Sequence, residues 1–145
     1  MSARPSSLRR FVRRTLVDAT GASEPNRVSL TKAFDDLCAR LHERLQPVFG
    51  NVAVDALFGR AVHLAADEFP WLREAGLEAR PCQTDGIEKL EHLDPDTIEE
   101  GLATVLAHDI DLLIGFVGED LVLPLVQQAW DVEGVVDGPA TKVEP

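Results

Sequence analysis

Apolar residues recur every three or four positions along most of this chain, which is the spacing of one face of an α-helix. In the first twenty residues this face comprises Leu8, Phe11, Val12, Leu16 and Ala19. The same spacing continues after Ser29, which is placed to cap a second helix, and after Asn51, which is placed to cap a third. Asp94 followed by Pro95 predicts the start of the longest helix, and the pattern then recurs over 119–130.

No stretch shows the alternation of apolar and polar residues, joined by hairpin turns, that is typical of strands. Short connections between amphipathic helices favour a helical bundle. We therefore predict an all-α fold, a compact bundle of five to six helices with the long helix at its centre. Residues 1–20 form a basic amphipathic helix, 28–131 form the bundle, and 132–145, rich in Gly and Pro, form a flexible tail.

The net charge of −11 is distributed unevenly along the 145 residues. Residues 1–20 contain five arginines and one acid, which gives +4 and leaves −15 for the remainder. An acidic body repels a phosphate backbone, so its charge disfavours nucleic acid as a partner. Only the first helix carries charge that suits an anionic partner.

The segment SLRRFVRRTL, residues 7–16, has three interpretations. The helix docks on the body through its apolar face while its arginines neutralise acidic residues. Alternatively, it is a basic amphipathic helix that binds a groove of a partner, or it binds anionic lipid or nucleic acid. The docked helix is the leading interpretation. The candidate partner-binding residues are Arg9, Arg10, Phe11, Arg13, Arg14 and Trp130.

The two cysteines, Cys38 and Cys82, lie 44 positions apart and form no repeating framework. We interpret both as reduced thiols and predict a cytoplasmic protein. The basic N-terminus lacks the apolar core of a secretory signal. The longest apolar run, Leu112–Gly118, is well short of the roughly 18 residues that indicate a membrane span.

The sequence contains no recognisable catalytic, metal or cofactor motif. No two of the four histidines share a helical turn, and none lies three residues after a glutamate. His63 points away from the apolar face of its helix, which is the placement of an exposed phosphotransfer histidine. The lysine and glycine that follow such a histidine in the known phosphotransfer family are absent here.

Asp109 breaks the pattern of the long helix, because it falls near the middle of its apolar face. A buried carboxylate is costly unless it is paired or hydrogen-bonded. It is therefore either an acid linked to a ligand, metal or switch, or a structural residue, explained by a bend of the helix or by an arginine or a backbone cap that it meets.

For function, the leading hypothesis is a non-enzymatic interaction or regulatory module that binds a protein partner through a helical face. The C-terminal helices, with Leu121, Val122, Leu125, Val126 and Trp130, offer a homodimer face. A small-ligand or cofactor sensor with a pocket near Asp109 is the first alternative. A metal-dependent or His63 phosphotransfer enzyme is the second.

Overall fold

The computed structural model describes residues 4–77, 84, 86–87 and 90–132, with side chains from residue 7 onward. The described part of the chain contains six α-helices and no strand, which confirms the all-α prediction. The predicted tail lies beyond the described residues, except for Val132. The helices are α1 (Arg4–Thr20), α2 (Arg27–Phe49), α3 (Asn51–Ala66), α4 (Trp71–Glu74), α5 (Pro95–Val117) and α6 (Glu119–Trp130).

Side-chain hydrogen bonds at the N-caps set the starts of α2 and α5, whereas α3 follows Gly50 without a side-chain cap, so the prediction that Asn51 caps α3 is wrong. Asp94 accepts a hydrogen bond from the backbone N–H of Thr97, with Pro95 in the first turn, as the sequence predicts. At α2 the cap is Asn26 rather than Ser29. Ser29 instead completes a capping box, because its hydroxyl accepts from the backbone N–H of Asn26.

Two glycines make the tight corners between consecutive helices. Gly50 joins α2 to α3 with φ of 86°, and Gly118 joins α5 to α6 with φ of 98°. Residues with a Cβ rarely adopt such positive φ values, so glycine allows each pair of helices to connect through a single residue.

The α5 helix is the centre of the bundle, as predicted, and it packs against α1, α2, α3 and α6. Every residue over 101–107 is buried, so this helix has almost no exposed face at its middle. Within the described residues, no helix combines the length and apolar character needed to cross a membrane.

The α1 helix docks on the bundle, mainly against α5 and α2. Leu8, Val12 and Leu16 are fully buried. Burial of one Leu or Val side chain stabilises the fold by about 1.5–3 kcal/mol, so three such side chains make α1 a structural element of the core. The leading interpretation of the arginine segment, a docked helix, fits this packing.

The segment before α5 is held on α2 by one arginine. The guanidinium of Arg27 donates to four backbone carbonyls, those of Ile87, Leu90, Glu91 and Leu93, at 2.8–3.2 Å. Its five N–H donors in a planar fork suit several acceptors at once. The hydroxyl of Thr84 adds hydrogen bonds to Asp35 and to the backbone of Thr31.

Both glycine corners lie at the same end of the bundle. Trp71, which follows α3, packs on Gly101 near the start of α5, so α3 and α5 run in opposite directions. The start of α3, beside Gly50, must then lie toward the end of α5, beside Gly118. This arrangement brings the α2–α3 and α5–α6 corners together.

Candidate functional site

Of the four arginines of α1 that the sequence predicts to bind a partner, two are paired and two are more exposed. Arg9 makes a two-pronged contact with Glu68, with its Nη2 2.5 Å from Oε1. Arg13 contacts Glu99 through Nε and Asp96 through Nη2, the latter at 2.8 Å. Arg10 and Arg14 are exposed. Ion pairs with the acidic body therefore occupy Arg9 and Arg13, and a partner-binding role for the four arginines stays a prediction.

The two aromatic residues predicted to bind a partner pack against each other. The rings of Phe11 and Trp130 are stacked, with centroids 6.0 Å apart. Trp130 is buried, and its indole N–H donates to the backbone carbonyl of Leu37 at 2.8 Å. Trp130 therefore holds α6 against α2 within the monomer. Phe11 is only half-buried, so it is more accessible to a partner than Trp130 is.

Most of the C-terminal apolar face predicted for a homodimer is packed inside the monomer. Val122, Val126 and Trp130 are buried, and Leu125 is half-buried. Leu121 alone among these five residues is exposed. The apolar surface that the sequence assigns to a second copy is therefore largely the surface on which α6 packs against α2 and α5.

Exposed apolar side chains gather instead at the two glycine corners. Phe116 is 70% exposed and Val52 is 86% exposed, although both are large and apolar. We name the group at these corners the corner patch. The corner patch comprises Val48, Val52, Phe116, Val117 and Leu121.

Asp109 is buried in the core, as its position on α5 predicts, with 1% of its surface exposed. Its Oδ2 lies 3.4 Å from Nε2 of His42, and in the described part of the chain this oxygen has no hydrogen bond of good geometry. Burial raises the pKa of Asp109, while His42 partly opposes that rise. The residue that the pattern singled out is thus a buried acid beside a histidine.

Cys38 lies one helical turn before His42, and its Sγ is 3.8 Å from the same Nε2. The prediction of two reduced thiols is wrong, because Cys38 is disulfide-bonded. Cys82 is the other cysteine of the sequence, and it lies outside the described residues. Spacing alone missed this bond, since a separation of 44 positions says nothing about spatial proximity. The cytoplasmic localisation rested on free thiols and stays a prediction without that support.

His42 was not among the functional residues predicted from the sequence. It is 5% exposed, and its ring meets the ring of Phe58 from α3 edge-on. A signal was available, because His42 follows Cys38 by four residues and must share the apolar face of α2. Cys38, His42 and Asp109 form what we call the core cluster.

The other predicted functional residues show no shared site. His63 is exposed on α3, as predicted. Two surface grooves are present, one bordered by Lys32 and Asp36 and one by Arg10 and Arg14, and Asp109 lines neither. Within the described ranges, no group of three or more His, Cys, Asp or Glu residues is arranged to hold a metal ion.

Comparison of the chain with known protein families, with curated proteins and with solved structures found no match. The geometry of the corner patch is therefore the basis for a functional proposal.

Proposed function

We propose that this protein is a non-enzymatic interaction module that binds a protein partner through the corner patch. The carrying observation is that large apolar side chains of the described chain are exposed on both sides of Gly50 and Gly118, the two corners that the antiparallel packing of α3 and α5 places at one end of the bundle. Contiguous exposed apolar surface is typical of a protein interaction site.

Charge indicates the chemistry of that partner. Asp55, Glu119 and Asp120 are exposed at or next to the same corners. A second copy of this chain would bring these carboxylates against one another, which disfavours self-association. A partner with apolar anchors flanked by lysine or arginine, such as a basic amphipathic helix, complements both the apolar centre and the acidic rim.

Binding of a synthetic peptide tests this proposal. A labelled helix of leucine at core spacing and lysine elsewhere is titrated with the protein, and fluorescence anisotropy is recorded. The matched control peptide has glutamate in place of lysine. We expect saturable binding of the lysine peptide, at least tenfold tighter than that of the glutamate peptide, and weaker binding at high salt.

Variants identify the surface that binds. Val52→Asp with Phe116→Asp changes the corner patch, and the control is Val28→Asp, at a valine outside the patch that is 67% exposed at the start of α2. We expect the double variant to lose binding and the control to retain it, with both folded by circular dichroism. Equal binding by all three proteins, or a dimer of the unchanged protein in light scattering that the double variant abolishes, would overturn the proposal.

A further inference from the structure

A surface groove follows α1 beside the start of α5. Its volume is about 380 Å³, which lies within the range of about 300–1,000 Å³ that is usual for small-molecule sites. Five of the six residues that line it are charged. These six residues are Arg10, Arg13, Arg14, Val17, Asp18 and Glu99. The composition of the groove therefore suits a charged, polar ligand.

The charge of Arg13 is compensated within the protein. Its guanidinium contacts Glu99 through Nε and Asp96 through Nη2, and its Nη1 lies 3.8 Å from Glu100. The side chain of Glu99 is only 16% exposed. Arg13 and Glu99 therefore hold each other in place as one wall of the groove, and they neutralise each other there.

Arg10 and Arg14 are the uncompensated cations of the groove. Both are exposed, and neither has an ion-pair partner among the described residues, although the chain contains 25 acidic residues against 14 basic ones. They lie four residues apart on one face of α1, where like charges repel. An anion with several oxygens that bridges the two guanidinium groups relieves this repulsion and accepts strong hydrogen bonds from both.

Asp18 provides an acceptor farther along the same groove. It follows Arg14 by four residues, which places it about 6 Å farther along the helix axis. A negative charge in the last turn opposes the helix dipole, so Asp18 does not stabilise the end of α1. An ionised carboxylate can only accept hydrogen bonds. It therefore selects a ligand that has a donor group about one turn away from its anionic group.

A phosphate monoester fits the two arginines better than a carboxylate does. Near neutral pH a phosphate monoester carries a charge of about −1.5 to −2 on three terminal oxygens. A carboxylate has one charge and two oxygens. Two guanidinium groups on successive turns of a helix can each bind a separate oxygen of the phosphate.

We propose that this groove binds a small, free phosphate monoester with a hydroxylated organic part, such as a sugar phosphate. The phosphate bridges Arg10 and Arg14, and a hydroxyl group of the ligand donates to Asp18. This inference does not depend on the proposed function, because the groove lies beside the start of α5 and the corner patch lies at its end.

The acidic surroundings favour a single small ligand over a phosphorylated surface. Asp96 and Glu100, which flank the groove through Arg13, have side chains that are 76% and 53% exposed. A membrane or a nucleic acid would bring many phosphates against these carboxylates and against a chain of net charge −11. A small ligand meets Arg10 and Arg14 at short range, where screening by salt is weakest.

Amide NMR of the full, isotope-labelled chain tests the proposal. Glucose 6-phosphate is titrated near neutral pH, with methyl phosphate as a monoester without hydroxyl groups and glucose as a sugar without phosphate. We expect saturable shifts of amides over 10–18 and 96–99, and binding of glucose 6-phosphate at least tenfold tighter than that of methyl phosphate. Glucose should cause no saturable shift. Equal affinity for the two phosphates, or no saturable shift of these amides, would overturn the proposal.

A second arm tests the source of the phosphate. The protein is sedimented with phosphatidylcholine vesicles that carry phosphatidylinositol 4-phosphate, in the presence and absence of glucose 6-phosphate. We expect it to stay in the supernatant in both cases. Sedimentation that depends on Arg10 and Arg14 would show that the groove binds a lipid headgroup, which contradicts a free ligand.

Arginine variants separate the groove from the general charge of the protein. Arg10→Ala with Arg14→Ala should weaken binding of glucose 6-phosphate at least tenfold. The control is Arg40→Ala with Arg60→Ala, which removes the same charge from exposed positions on α2 and α3 and should retain binding. An equal loss in both double variants would contradict the assignment.

Asp18→Ala tests the acceptor independently of the arginines. Removal of its charge should leave methyl phosphate bound at least as tightly, while the preference for glucose 6-phosphate falls from at least tenfold to less than threefold. A change in folding alone would weaken both ligands together. A preference that stays tenfold in this variant would show that Asp18 does not contact the ligand and would overturn the proposed selection of hydroxyl groups.

Discussion

Gly101 lies beneath the indole ring of Trp71, at the point where α5 meets α4. A Cβ built on this glycine would lie 2.4 Å from Cζ2 of the tryptophan, which is well inside van der Waals contact. Both residues are buried. The absence of a side chain at position 101 therefore determines how closely the ring approaches the central helix.

We expect Gly101→Ala to lower the free energy of unfolding by about 1–3 kcal/mol, because the large ring must shift in a filled core. Gly115→Ala is the control on the same helix, since a Cβ there meets nothing within 4 Å. It should raise stability by about 0.5–1 kcal/mol, as alanine favours a helix over glycine. Urea denaturation monitored by tryptophan fluorescence measures both, and equal midpoints for the two variants would contradict the packing argument.

Asp109 makes stability depend on pH in a defined direction. Burial raises its pKa in the folded protein above the ordinary value of 3.8. Between these two pKa values the folded protein holds a proton that the unfolded chain has released. The free energy of unfolding must therefore fall as pH rises from about 4 through the folded pKa, by up to about 1.4 kcal/mol per pH unit.

Asp109→Asn cannot ionise and should remove this part of the pH dependence. The measurement is the difference in unfolding free energy between the variant and the unchanged protein, from urea denaturation at several pH values from 4 to 8. Contributions of other carboxylates cancel in that difference. We expect the variant to become more stable relative to the unchanged protein as pH rises. If the unfolding free energies of the two proteins ran parallel with pH, the pKa of Asp109 would not be raised in the fold.

For individual residues, the sequence predicted which face of a helix a side chain occupies, but it did not predict which residue of another helix that side chain contacts. A rotation of 100° per residue was enough to place Asp109 on the buried face of α5. The neighbour of that acid, His42, belongs to α2, and the pairing depends on how two helices cross. The bonding of Cys38 was likewise missed, because covalent pairing depends on tertiary proximity.

The α1 helix has a buried apolar face and an arginine that pairs with acidic residues of another helix. Its apolar face is in the core, while Arg13 reaches across to three acidic residues at the start of α5. Hydrogen bonding to Glu99 is the main cause that raises the pKa of the Arg13 guanidinium, so the pairing favours its charged form. The three acidic residues are Asp96, Glu99 and Glu100.

Arg13→Ala should therefore destabilise the protein more than Arg14→Ala, its exposed neighbour on the same helix. We expect a loss of about 0.2–1 kcal/mol, because the side chain is 37% exposed and solvent weakens the ion pairs. This loss of stability should be smaller in 1 M salt, where the Debye screening length is about 3 Å. Thermal unfolding at two salt concentrations measures it, and an equal effect of both substitutions would contradict the role of Arg13.

Arg27 joins the first turn of α2 to the segment before α5. Arg27→Lys keeps the charge but loses the fork that serves four carbonyls. We expect backbone amides of residues 90–93 to exchange with deuterium at least tenfold faster in this variant. Arg40→Lys, at a surface ion pair with Asp36, is the control and should not alter exchange there. Unchanged exchange in the Arg27 variant would show that other contacts hold the segment.

The bundle as a whole depends on its first helix. Deletion of residues 1–20 would expose the apolar surfaces of α5 and α2 that Leu8, Val12 and Leu16 cover. We expect the truncated protein to lose cooperative thermal unfolding and to bind a hydrophobic dye, as measured by circular dichroism and fluorescence. Arg10→Ala with Arg14→Ala, which keeps the helix, should unfold normally. Cooperative unfolding of the truncated form would instead favour the interpretation of α1 as a detachable arm.

The periodicity was sufficient to predict the fold class, the helices and the central position of α5, because each depends on local spacing and overall hydrophobicity. It was not sufficient for the corner patch. Val52 and Phe116 come from different helices, and their placement at the same end of the bundle results from the antiparallel packing of α3 and α5. The predicted dimer face on α6 illustrates the same limit, since periodicity cannot distinguish an apolar face that packs internally from one that binds another molecule.

The docking of α1 against α5 has a consequence for synthesis of the chain. Arg13 and its partner Glu99 are 86 residues apart, so α1 meets the part of its packing surface that α5 provides only after α5 has been translated. At about 5–20 residues per second, this delay is on the order of 4–17 s. During that time the part of the apolar face of α1 that packs on α5 lacks its covering helix. The arginines on its other face then act as gatekeepers, because their mutual repulsion hinders aggregation of nascent chains until α5 emerges.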